Sequence, residues 1–138
     1  MRRILGLDIG QKRIGLALSD RLGCTAQGLD TLIRANDSRD IDSLREIIKK
    51  YDVEEIVAGL PLNMNGSAGP SAEKVMGFIE TLRKDLKLPV KTWDERLTSL
   101  QARGVLLQAN LSRKKRKKVT DKLAAQLILQ GYLESRGE

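Results

Sequence analysis

Histidine is absent from the 138 residues, and cysteine occurs once, at Cys24. One cysteine cannot form an internal disulfide, and without histidine the usual Cys/His zinc sites are excluded. Any mechanism that needs a histidine base is excluded with them. Chemistry in this chain must run on carboxylates, lysines, hydroxyls or a hard metal ion. Long apolar runs are also missing. No stretch approaches the roughly 18 residues of a membrane-crossing helix. The N-terminal run of Ile4, Leu5, Gly6 and Leu7 is broken by Asp8 too early for the apolar core of a signal peptide. The expected location is the cytoplasm, with no membrane partner.

What is present is an ordinary globular composition, with 41% hydrophobic and 31% charged residues. The length suits one domain, 1–138, able to bury its own core. The net charge is +7, and six of the 25 basic residues are consecutive, Arg113 to Lys118. Without those six, 19 basic residues face 18 acidic ones, so a balanced domain carries one basic segment. Arg113, Lys114, Lys115, Arg116, Lys117 and Lys118 are either a solvated loop or a grip on a phosphate backbone.

Apolar patterning predicts strands at Arg3–Ile9, Arg13–Ser19 and, more weakly, Thr25–Ile33. A helix is expected over 38–51, with Ile41, Leu44, Ile47, Ile48 and Tyr51 on one face. A short strand at 55–59 precedes a polar loop over 63–69, and Pro70 suits the first turn of a second helix. A fifth strand covers 89–93. Thr98 to Gln101 reads as a capping box for a helix ending near Ala109, and a last helix is expected over 120–134. The order β-β-β-α-β-α-β-α-α makes an α/β fold, a mixed β-sheet with helices on both faces.

Three acids stand out. Asp8 interrupts an apolar strand, where a carboxylate is costly unless a metal, an arginine or several amides satisfy it. A cap on the Gly10 turn is the competing reading. Glu95 follows the fifth strand, where ligands gather in such sheets, or it pairs with Arg96. Asp121 opens the expected last helix, where the macrodipole alone favours an acid. In a chain without histidine, the three together suit a hard cation held by oxygen. A pair of Mg²⁺ ions roughly 3.5–4 Å apart could activate water on one side of a phosphate and stabilise the leaving oxygen on the other.

Four motifs in order carry a resemblance. They are Asp8-Ile-Gly10 with Arg13-Ile-Gly15-Leu-Ala-Leu-Ser19-Asp20; Gly59-Leu-Pro61 with Asn65-Gly66; Asp94-Glu95-Arg96-Leu97-Thr98-Ser99; and Ser112 to Lys118 leading to Asp121-Lys-Leu-Ala-Ala-Gln-Leu-Ile-Leu-Gln130. Nearly end to end, the chain resembles the YqgF family of pre-16S ribosomal RNA nucleases, a family also related by fold to Holliday junction resolvases. The resemblance implies an RNase H-like fold, with Asp8, Glu95 and Asp121 as catalytic and metal-holding acids and Mg²⁺ as cofactor, Mn²⁺ substituting. It implies structured RNA as substrate, in 5'-end processing of precursor 16S ribosomal RNA, with a ribosomal precursor particle as a partner. Arg13, Asn63, Asn65, Arg96 and the run 113–118 are the expected nucleic-acid contacts.

Resolvases of this fold also carry an acid at the end of the fourth strand and another one turn along the last helix. Here those places hold Gly59-Leu60-Pro61 and Ala124-Ala125. The rival readings are a dimeric resolvase on branched DNA and an RNA-binding assembly factor with an idle site. A sugar-kinase-like phosphotransferase would need a second lobe with a second phosphate loop. The oligomeric state stays open.

Overall fold

A computed structural model describes residues 3–61, 67–94 and 113–136, the last stretch with its side chains from 123 to 135. Its elements are β1 (Arg3–Ile9), β2 (Arg13–Ser19), β3 (Ala26–Ile33), α1 (Asp37–Tyr51), β4 (Val53–Leu60), α2 (Pro70–Leu86), β5 (Val90–Asp94) and α3 (Arg113–Arg136). The strands form one sheet in the order β3-β2-β1-β4-β5. β1 pairs antiparallel with β2, and β2 with β3, while β1–β4 and β4–β5 are parallel. The mixed sheet expected from the sequence is therefore present.

Strand alternation sorts β1 between two cores. Leu5, Leu7 and Ile9 join Ile41 and Leu44 of α1 and Phe78 and Leu82 of α2 on one face. Ile4, with Ala17, Ala26 and Val57, meets Ala125, Ile128 and Leu129 of α3 on the other. Helices thus cover both faces. The close approach of α3 depends on Gly6. A Cβ there would lie 2.8 Å from the Leu129 Cβ and 3.3 Å from the Ala125 carbonyl oxygen. Gly131 does the same beneath Trp93, whose ring would stand 3.1 Å from a Cβ at that position.

Polar side chains fix α3 along the sheet. Gln130 Oε1 accepts from the Ala26 amide at 2.9 Å, and Gln126 Nε2 donates to the Ala26 carbonyl at 3.1 Å. The Tyr132 hydroxyl pairs with the Glu55 carboxylate on β4.

β4 begins two residues earlier than expected, at Val53, and β5 is shifted by one, to Val90–Asp94, but the start of the last helix departs furthest. The last helix begins at Arg113 rather than 120, so the basic run forms its first two turns instead of a separate segment. Lys and Arg are good helix formers, but six in a row carry no apolar period to announce a helix. The expected helix from Thr98 to Ala109 lies outside the described residues, as do Asn63 and Asn65.

Candidate active site at one edge of the sheet

Because β1, β4 and β5 are parallel, their C-terminal ends share one edge of the sheet. Asp8 stands there, half-buried, one residue before β1 ends. It lies two residues beyond Gly6, on the face that α3 covers. Its partner across the ladder is Gly15, which adds no side chain beside the carboxylate. Gly10 turns the chain back into β2. Its amide donates to the Arg13 carbonyl at 2.8 Å, so the turn closes through backbone groups. A Cβ on Gly10 would meet that same oxygen at 2.8 Å, which keeps the corner tight and narrow.

A cavity of about 680 Å³ opens off this edge, between the first turns of α1 and α2. Asp8 and Gly10 line it together with Arg34, Asp40, Pro61 and Lys74. Among these, Arg34, Asp40 and Lys74 do not stand out in the sequence. Asp40 carried a usable signal: it precedes Leu44 by one helical turn and so belongs to the buried face of α1, where it is 2% exposed. Arg34 carried none, since a lone arginine after a strand is usually a solvated residue.

Arg13 begins β2 at the same edge as Asp8 and, being diagonal to it across the ladder, on the same face. β5 ends with Asp94 at that edge, and Glu95 and Arg96 lie outside the described residues. Asp121 is the ninth residue of α3 rather than its first turn, so the macrodipole reading of that acid no longer holds. Asp20, the acid that closes the first motif, belongs to the opposite edge. It follows β2, whose end pairs with the start of β1, the full strand length from Asp8. There its Oδ1 accepts from the amides of Cys24 at 2.7 Å and Thr25 at 3.1 Å. Those two bonds, Thr25's first in weight and then Cys24's, hold its carboxyl below the ordinary Asp range.

An oxygen-only donor set suits a hard divalent ion, and the chain offers no histidine to any other kind. Asp8 meets one requirement of such a site: it is half-buried at the strand ends rather than in sealed apolar core, and the residue lines the cavity. Among the described residues, no cluster of three acids or other ligands forms around it.

Comparison with known proteins puts this geometry in context. A protein of Clostridium acetobutylicum provisionally named a pre-16S rRNA nuclease is 56% identical over 133 residues, covering 96% of this chain and 98% of that one. One from Clostridium kluyveri, with the same provisional name, is 58% identical over 132 residues, 96% of each chain. By structure, RuvC of T. thermophilus in complex with a Holliday junction substrate matches 99% of this chain and 96% of its own, with a TM-score of 0.59 at 18% identity. The fowlpox virus resolvase in complex with Holliday junction DNA matches 99% of each chain, with a TM-score of 0.60 at 16% identity. At such identities these two establish the RNase H-like fold and nothing finer. The family model described as RuvX, Holliday junction resolvase, spans residues 2–135, and with relatives this similar over almost the whole length the chain belongs to that family of resolvase-like nucleases, also known as YqgF.

Proposed function

We propose that the protein is a Mg²⁺-dependent nuclease that hydrolyses phosphodiester bonds of structured RNA, in the 5'-end processing of precursor 16S ribosomal RNA. The observation that carries this is the placement of Asp8, half-buried at the shared C-terminal edge of three parallel strands and at the margin of a cavity. Glu95 is the residue after β5, which ends at the same edge.

The path of α3 supports Asp121 as the third acid. Ala125 and Leu129 lie over Gly6, and Tyr132 meets Glu55, the β4 partner of Ile4. Later helix residues therefore lie toward the start of β1, and earlier ones toward its end. Four residues of helix span about 6 Å and two of strand about 6.6 Å. The step from Ala125 back to Asp121 thus matches the step from Gly6 on to Asp8. Ala124 and Ala125, one turn further along, are buried against the sheet, so no fourth acid follows in that row.

Asp8, Glu95 and Asp121 would hold the ion, Mn²⁺ substituting for Mg²⁺. Bound there, the ion supplies Lewis-acid polarisation of the phosphate and an acidified water. The chain's own part is to fix the carboxylates, present the Arg13 edge to the backbone, and admit the strand past Gly10. The first turns of α3 carry Arg113 to Lys118 up to about 12 Å beyond position 121, within reach of neighbouring phosphates. The RNA assignment rests on the names of the close relatives. The missing acids at the end of β4 and at 124–125 favour it over junction resolution. The test is incubation with labelled precursor 16S RNA and with a four-way DNA junction, each in Mg²⁺, Mn²⁺ or EDTA. Cleavage of the RNA in either metal and none in EDTA is expected. Cleavage of the junction alone would transfer the assignment to DNA.

A further inference from the structure

Arg34 lines the same cavity as Asp8, where an arginine is commonly read as a grip on phosphate. Its surroundings assign it otherwise. Nε donates to Asp40 Oδ2 at 3.0 Å, Nη2 to Asp37 Oδ1 at 3.1 Å, and Nη1 to the Gly10 carbonyl at 2.9 Å. The guanidinium also lies over the Phe78 ring, 4.7 Å from its centre. Two carboxylates already neutralise it, one of them on the buried Asp40. Little charge is left for an incoming phosphate.

Both ends of the Gly10–Lys12 turn are held by this one residue. The Arg34 backbone amide donates to the Lys12 carbonyl at 2.9 Å, while its side chain holds the Gly10 carbonyl. Asp40 anchors the clamp in turn, since its second oxygen accepts the Ala35 amide at 3.0 Å. The sequence Asp8-Ile9-Gly10 leaves only one residue between the clamped carbonyl and the carboxylate. Any play in the corner would reach Asp8 almost undiminished.

We propose that Arg34, braced by Asp40, is a positioning residue that holds the Asp8–Gly10 corner in the geometry a divalent cation requires. This rests on the metal-site reading of Asp8 above. Lysine cannot substitute, because a single ammonium does not present the planar fork that spans Asp40 and the Gly10 carbonyl together. Partners that orient a ligand from behind are typically worth 10- to 100-fold in metal affinity.

The experiment measures Mn²⁺ binding by electron paramagnetic resonance, with amide hydrogen exchange at Gln11 and Lys12, in wild type, R34K, D37N and D8N. R34K is expected to keep its circular dichroism, bind Mn²⁺ at least about tenfold more weakly and exchange faster at those amides. D37N, which gives up one exposed ion pair, should bind more weakly too, by a smaller factor. Wild-type Mn²⁺ affinity in a folded R34K overturns the proposal. Should R34K fail to fold, unchanged affinity in D37N overturns it. Absence of Mn²⁺ binding in wild type and D8N alike would instead remove the metal site itself, and the proposal with it.

Discussion

Replacing Gly6 with alanine tests whether α3 is seated as tightly as the distances imply. The added methyl would stand 2.8 Å from the Leu129 Cβ and 3.3 Å from the Ala125 carbonyl oxygen. Carbon atoms in ordinary contact sit about 3.5–4.0 Å apart, so helix and strand must separate by roughly 1 Å. Neither neighbour can swing aside: one is a Cβ fixed to its backbone, the other is backbone. Overpacking of this kind costs about 1–3 kcal/mol. Alanine returns about 0.5–1 kcal/mol by restricting the unfolded chain. The expected net loss is about 1–2 kcal/mol. With a urea m-value on the order of 1–3 kcal/mol/M, the unfolding midpoint should fall by roughly 0.3–2 M at unchanged slope. The second mutation in a double-mutant cycle is diagnostic. Leu129→Ala keeps the clashing Cβ and should give no relief, whereas Leu129→Gly should show a favourable coupling with Gly6→Ala. A Gly6→Ala midpoint at or above that of wild type would refute the tight seat.

Asp8→Asn should lose divalent-dependent cleavage with the fold intact, checked by activity in Mg²⁺ and by circular dichroism; full activity would end the metal-site reading. Changing Lys114, Lys115, Lys117 and Lys118 to alanine should weaken binding to every substrate and flatten the salt dependence, by about 0.7–0.9 log unit for each phosphate no longer neutralised; an unchanged slope in a filter-binding titration would make the run a solvated helix end. The Asp20 carboxyl is depressed in the folded state below its ordinary value of 3.8, by its bonds to the Thr25 and Cys24 amides. Its stabilisation is therefore present above that value and lost as pH falls through the lower folded one. Thermal melts should show Asp20→Asn flattening the acid limb in that window only, and an identical limb in both proteins would discount the turn. Ca²⁺ should support substrate binding with little cleavage, because its looser coordination does not enforce the compact octahedron of Mg²⁺; brisk turnover in Ca²⁺ would argue against that geometry.

Much of the fold was legible because the sheet faces are patterned simply. Leu5, Leu7 and Ile9 alternate with Ile4, Gly6 and Asp8, and both sets are apolar or small except the one carboxylate. Asp8 was visible for that reason. On α2, Val75, Phe78, Ile79, Leu82 and Leu86 fall at the 3.6-residue period of a helix, and all pack in or against one core. The start of α3 was not legible, since no apolar residue marks its first two turns. Nor was the Arg34–Asp40 brace. It joins a residue between elements to the inner face of a helix, and only the folded chain brings Gly10 to meet them.

The glutamine bonds that register α3 on the sheet have a kinetic side. Gln126 and Gln130 reach Ala26 across 100 and 104 residues of sequence. Loops of that size close slowly and are disfavoured until many contacts form together. The α1–α2 side of the sheet is built from neighbours nearer in sequence, so it can condense first. In that interval Ile4, Ala17, Val57 and Trp93 would face water, an apolar surface exposed to association with other chains. Docking of α3 hides that surface and, on the reading proposed for the site, brings position 121 toward the edge that holds Asp8 in the same event. If the proposed set of Asp8, Glu95 and Asp121 holds the ion, the site stays incomplete until folding is nearly finished, and a partly folded molecule would be inactive.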